Sequence, residues 1–204
     1  MPLDIRALGL ITLITFLCQM KISIKRIIEG KLTYPSWSSN AVYKISCRSL
    51  DKDSVLIYYT TSVILKRIGR IFPKYVELDP AFIWMLGFLK GEGANSKGKS
   101  NYRRFTLTNK NPALICFCLN KLHEKRFIDR TKLPDGAFHI IHARDQKGAI
   151  SYWSRQLNVS RSKIKCFDDN NNTSKYGVCH LYLSDVLLRR VVDELSEYVL
   201  SLNI

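Results

Sequence analysis

Met85-Leu86-Gly87-Phe88-Leu89-Lys90-Gly91-Glu92-Gly93 is the stretch on which the reading of this chain turns. Gly87 and Gly91 are four apart, which sets them on one face of a helix. Two such glycines lower helix propensity by about 1 kcal/mol each relative to alanine. In return they permit close approach of a second backbone, as in other small-residue helix contacts. The helix then ends on an acid, Glu92, between two glycines. Two helices of this kind packed side by side bring two carboxylates to one end. Carboxylate oxygens suit Mg²⁺ held against a phosphate.

Asp79-Pro80 starts this helix, with Asp as cap and Pro at the first helical position. Residues 81–91 are almost wholly apolar, which predicts burial on all sides. Residues 93–100 are small and flexible in type. Over 102–108 the pattern alternates. Tyr102, Arg104, Thr106 and Thr108 share one face, while Arg103, Phe105 and Leu107 share the other, so a half-buried strand with a basic outer face is expected. Asn111-Pro112 opens a further helix to about Lys125. A hairpin is expected from 127–131 and 137–143, turning at Pro134-Asp135-Gly136. A helix over 147–157 follows. A strand over 162–167 then places Lys163 and Lys165 on one face. After a polar loop, a strand over 176–184 points His180 and Tyr182 outward. The last helix carries an apolar stripe through Leu188, Val192, Leu195, Val199 and Leu202. The expected class is α+β: αββαββ from residue 80, followed by an αββα repeat.

Residues 1–76 form a separate, helical and basic region in this reading, with the second domain at 77–204. Helices are expected over 8–19, 23–30 and 40–49, with a turn-rich break at 31–37. A Ser-capped third helix after a tight break has the outline of a helix-turn-helix, or of a simple supporting segment. Residues 55–69 read as a helix or a strand pair. The apolar run over 7–20 has 14 residues, short for a bilayer, and no small-residue cleavage site follows it. It reads as a buried helix, with membrane insertion as the alternative.

The 204 residues are 46% hydrophobic, enough for a core, and carry a net charge of +15. That excess points to a polyanionic partner, with DNA, RNA and anionic membrane as the classes. Ten basic and two acidic residues fall between Asn95 and Lys132. Lys97, Lys99, Arg103, Arg104 and Lys110 among them are expected to meet phosphate. The six cysteines form no C-x-x-C pair and sit mostly among apolar neighbours, as small buried hydrophobes do. The four histidines have no metal-ligand spacing.

Residues 85–93 resemble the nine-residue motif of the LAGLIDADG homing endonuclease family in its G-F-x-x-G-E-G form. The resemblance continues through Arg104-Phe105-Thr106-Leu107-Thr108-Asn109 and the helix after Asn111-Pro112. It runs more loosely through Tyr152-Trp153-Ser154 and Lys175-Tyr176-Gly177-Val178-Cys179, covering residues 78–202. It implies sequence-specific binding of double-stranded DNA and Mg²⁺-dependent phosphodiester cleavage, with Glu92 as catalytic and metal-binding acid. Gly87 and Gly91 become a helix-pairing interface, in a homodimer or an internal pseudo-dimer. Arg104, Thr106, Thr108, Lys163, Lys165, His180 and Tyr182 become DNA-contacting residues. The implied setting is cytoplasmic and nucleoid-associated, with no membrane. Two departures stand out. Lys90 replaces the family's frequent first acid, and residues 147–157 lack both the paired glycines and the terminal acid. A non-cleaving DNA-binding regulator on the same fold is the alternative, and an RNA-binding helper a third reading.

Overall fold

The computed structural model describes residues 20–29, 33–35, 42–60, 67–92, 104–167 and 174–202. The protein is a mixed α+β chain divided into two units, Met1–Gly87 with Arg190–Ile204, and Phe88–Arg189. The division runs through two helices, α2 (Pro80–Glu92) and α5 (Val186–Ser201), rather than between residues 76 and 77.

The first unit is richer in strand than its basic, apolar sequence implies. A short helix α1 (Ile24–Ile28) is capped by the Ser23 hydroxyl, which accepts from the Arg26 N–H at 3.4 Å. Around it run β1 (Lys21–Ser23), β2 (Thr33–Pro35), β3 (Val42–Lys44), β4 (Ser46–Ser49), β5 (Ser54–Thr60), β6 (Arg67–Pro73) and β7 (Tyr75–Glu77). β1 pairs with β7 and β2 with β3, while β4-β5-β6 form an antiparallel sheet. The helix expected over 40–49 is therefore wrong, and the helix-turn-helix outline goes with it. Val42-Tyr43 and Ile45 favour the pleat, and Cys47 and Arg48 find partners in Ile57 and Leu56 across the sheet. Within 55–69 the described residues, 55–60 and 67–69, belong to the paired strands β5 and β6, which is the strand-pair alternative. The helix expected over 8–19 lies outside the described residues.

α2 starts where Asp79-Pro80 places it, the Asp79 carboxylate accepting from the Phe82 N–H at 2.8 Å. Phe82, Met85 and Leu86 are buried. The Ser196 hydroxyl donates to the Val192 carbonyl at 2.9 Å and reaches the Leu86 carbonyl at 3.4 Å, tying α5 to α2 within the unit. The helix is not buried all round, however. Trp84 is 51% exposed, and Gly87 and Gly91 are exposed.

The second unit is one four-stranded sheet backed by helices. β8 (Phe105–Asn109), α3 (Pro112–Glu124), β9 (Phe138–Ile141), α4 (Gln146–Leu157), β10 (Ile164–Cys166) and β11 (Val178–Leu183) follow in order. The strand order is β10-β9-β11-β8. β9 and β10 are parallel with α4 between them in sequence, and β11 runs antiparallel to both β9 and β8. The closing α4-β10-β11-α5 order agrees with the expected αββα. Between α3 and α4, by contrast, one strand stands where a hairpin was expected. Phe127 and Ile128 are buried, and their N–H groups donate to the Leu122 carbonyl at 2.8 and 3.3 Å, closing the end of α3. The Asp129 carboxylate then caps a 3₁₀ turn at Arg130–Lys132. The turn itself is where the sequence puts it: Gly136 has φ +67° and the Ala137 N–H donates to the Pro134 carbonyl at 3.2 Å.

Local capping sets the helices. Asn111 accepts from the Ala113 N–H at 3.0 Å, Asp145 from the Gly148 N–H at 2.8 Å, and Asn158 ends α4 in the left-handed conformation. Ile115, Cys118, Leu119 and Leu122 of α3 and Ala149, Trp153 and Leu157 of α4 are buried with the inward residues of the sheet. The Trp153 indole N–H donates to the Tyr176 carbonyl at 2.7 Å. Gly177, with φ +74°, is required beside it, because a Cβ there would sit 2.4 Å from the Ile141 carbonyl oxygen.

Candidate nucleic-acid interface

Strand alternation in the second unit separates two chemistries. Phe105, Leu107, Phe138, Ile140, Ile164, Cys179, Leu181 and Leu183 are buried on the helix side. Thr106, Thr108, His139, Lys165, His180 and Tyr182 alternate with them on the opposite face. The register lines four of these up. Lys165 pairs with His139, His139 with His180, and His180 with Thr108, so one polar rung crosses all four strands. Tyr182 pairs with Thr106 one step along.

The rung is internally bonded. The Thr108 hydroxyl and His180 Nδ1 lie 2.8 Å apart, while His180 Nε2 is buried without a hydrogen-bond partner among the described residues. Burial, then His139 and His142, hold the His180 pKa below its usual value. The His139 pKa is lowered by burial first, and then by Lys165 and Arg104, against a raising hydrogen bond with the Gly136 backbone. Both cations thus stand close enough to this face to act on it. Arg104 is exposed one residue before β8, and Lys110 is exposed just after it.

Sequence reasoning finds Arg104, Thr106, Thr108, Lys165, His180 and Tyr182, and the fold brings these together. It misplaces Lys163. Residues Arg161–Lys163 form a 3₁₀ turn rather than the start of a strand, and Lys163 Nζ pairs with the Asp135 carboxylate at 2.9 Å. That pairing, with the Ser162 hydroxyl, pulls the Asp135 carboxyl below its ordinary pKa. Lys163 is therefore not a partner of Lys165 on the outer face. His139 goes unnoticed in sequence, although the Phe138-His139-Ile140 alternation marks it as outward. Lys97, Lys99, Arg103 and the side chain of Glu92 lie outside the described residues.

Above Gly87 and Gly91, a Cβ built on either would meet nothing within 4 Å among the described residues. α4 contacts α3 and β10. Among the described residues, no group of three His, Cys, Asp or Glu is arranged to hold a metal ion. Likewise, no described helix is long and apolar enough to cross a membrane. Cys118 and Cys179 are buried, with burial raising both thiol pKa values, that of Cys118 to about 12. They are inert core groups, as their apolar neighbours in sequence imply.

Family models, curated proteins and solved structures yield no match to this chain.

Proposed function

We propose that this chain binds double-stranded DNA sequence-selectively through the outer face of the β10-β9-β11-β8 sheet, and cleaves it as a homodimer with Mg²⁺ at Glu92. The observation that carries the reading is the shared face: hydroxyl, imidazole, phenol and ammonium groups in register on a sheet backed by an apolar core. Hydroxyls and imidazoles offer donors and acceptors to base edges, while Arg104, Lys110 and Lys165 suit phosphates. The charge of +15 supplies the long-range attraction.

Cleavage rests on residues 85–93. A carboxylate at Glu92 is an oxygen donor that fits Mg²⁺. The metal, when bound, supplies charge neutralisation at the scissile phosphate. One chain offers one such acid in the motif, so cutting both strands needs two copies. Among the described residues nothing lies within 4 Å of a Cβ built on Gly87 or Gly91, which is compatible with a second helix packing there.

The test is incubation of the protein with a library of duplex targets and Mg²⁺. Target-specific double-strand cuts, lost in Glu92→Gln with binding retained, are expected. Cleavage unchanged in Glu92→Gln removes the metal role. Selective, salt-sensitive binding without cleavage assigns the chain to the non-cutting regulators instead. Stronger competition by structured RNA than by duplex DNA overturns the duplex reading.

A further inference from the structure

Phe167 extends the sheet beyond β10, its N–H donating to the Ile140 carbonyl at 2.9 Å. Its ring is 42% exposed. The ring centroid lies 4.7 Å from that of His139, and His139 lies 4.6 Å from Tyr182 on its other side. Tyr182 in turn lies nearly parallel to His180, at 6°. Four rings therefore form a continuous strip from the β10 edge across β9 to β11. Lys165 is the β10 register partner of His139, and Arg104 is exposed directly before β8 of the same sheet; burial first, and then these cations, lower the His139 pKa.

A duplex hides the flat faces of its bases inside the stack and shows only edges and phosphates. An unpaired nucleotide offers a flat face with a phosphate attached, which matches a half-buried aromatic strip that ends on the exposed ring of Phe167 and is flanked by cations. A purely apolar protein partner would leave those cations and the polar rung unmatched.

We infer that Phe167, His139 and Tyr182 form a stacking platform for an unpaired nucleobase in single-stranded DNA or RNA, with Arg104 and Lys165 holding the adjoining phosphates. The inference rests on the proposed nucleic-acid role of this sheet face and adds a ligand class to it.

Fluorescence anisotropy of the full chain with a short labelled single-stranded DNA, the RNA of the same sequence and the corresponding duplex tests it. The variants are Phe167→Ala and Phe167→Trp. Single-stranded binding about tenfold weaker in Phe167→Ala and restored in Phe167→Trp, with duplex affinity unchanged, is expected. The arm that loses affinity, DNA or RNA, names the sugar. Unchanged single-stranded affinity in Phe167→Ala overturns the platform while leaving duplex binding standing. Equal losses for duplex and single strand also overturn it, making Phe167 a general contact. Failure of the wild-type chain to bind any of the three overturns both the platform and the nucleic-acid role.

Discussion

The two larger sheets obey one rule and expose opposite chemistry. In the first unit, Val55, Ile57 and Tyr59 of β5 point inward, and the register sets Arg48, Leu56 and Ile71 side by side on the other face. Ile71 is 58% exposed there. Arg67 lies over the Tyr58 ring at 4.6 Å, and Tyr58 faces Gly69 across the strands. In the second unit the outward rung is Lys165, His139, His180 and Thr108. Alternation decides which residues build the core in both cases. It does not decide function, which depends on what is left outside. One sheet leaves out aliphatic groups with arginines guarding an edge strand. The other leaves out groups that can hydrogen-bond, stack and neutralise phosphate.

The largest break of this contrast is Trp153→Ala. It removes a fully buried indole and the 2.7 Å bond to the Tyr176 carbonyl behind the polar face. A loss of about 3–5 kcal/mol in urea unfolding is expected, with nucleic-acid binding lost alongside. Ile71→Ser, on the exposed face of the other sheet, is expected to stay within about 0.5 kcal/mol and to bind normally. Next in size comes a charge comparison. Arg104→Ala with Lys165→Ala is expected to weaken duplex binding about tenfold and to flatten the salt dependence by about two. Arg48→Ala with Arg67→Ala removes the same charge from the first unit and is expected to change neither. Equal losses in the two pairs would mean that net charge, not the polar rung, drives binding.

Smaller is the Thr108→Val change. It keeps the shape and the strand propensity but removes the hydroxyl bonded to His180 Nδ1. A loss of about 1 kcal/mol in thermal or urea unfolding is expected, and more if the imidazole finds no replacement partner.

Much of the second unit could be read from residues alone, because its signals are local. Asn111 and Asp145 cap helices through their own side chains, Gly136 makes its turn with a positive φ, and β8 and β11 alternate cleanly. The failures are non-local. Phe127 and Ile128 look like strand residues but are held by the end of α3. Lys163 looks like a strand neighbour of Lys165 but is claimed by Asp135, 28 positions away. In the first unit, short apolar runs fit helix and strand equally well, and only the cross-strand partners of Cys47 and Arg48 settle them. The polar rung shows the same limit. Its members can be picked out singly, but their alignment depends on β9 lying between β10 and β11.

The finest test uses acid. All four histidines, His123, His139, His142 and His180, belong to the second unit. His139 and His180 have pKa values lowered from 6.5, mainly by burial. As pH falls, the unfolded chain therefore takes up protons at these sites before the folded one does. In that window the unfolded state binds more protons, so stability rises with pH and falls on acidification. The contribution is whole above 6.5, declines as pH drops through that value, and levels only below the folded pKa values. Urea midpoints from pH 8 to pH 5 are expected to show this decline in the wild type and a flatter profile in the His139→Gln, His180→Gln double variant. Hydrogen exchange locates the effect: amides of β9 and β11 should lose protection on mild acidification ahead of those in β5, whose unit has no histidine. Simultaneous loss in both sheets, with the double variant as acid-sensitive as the wild type, would assign the decline to carboxylates and leave the two imidazoles without a part in it.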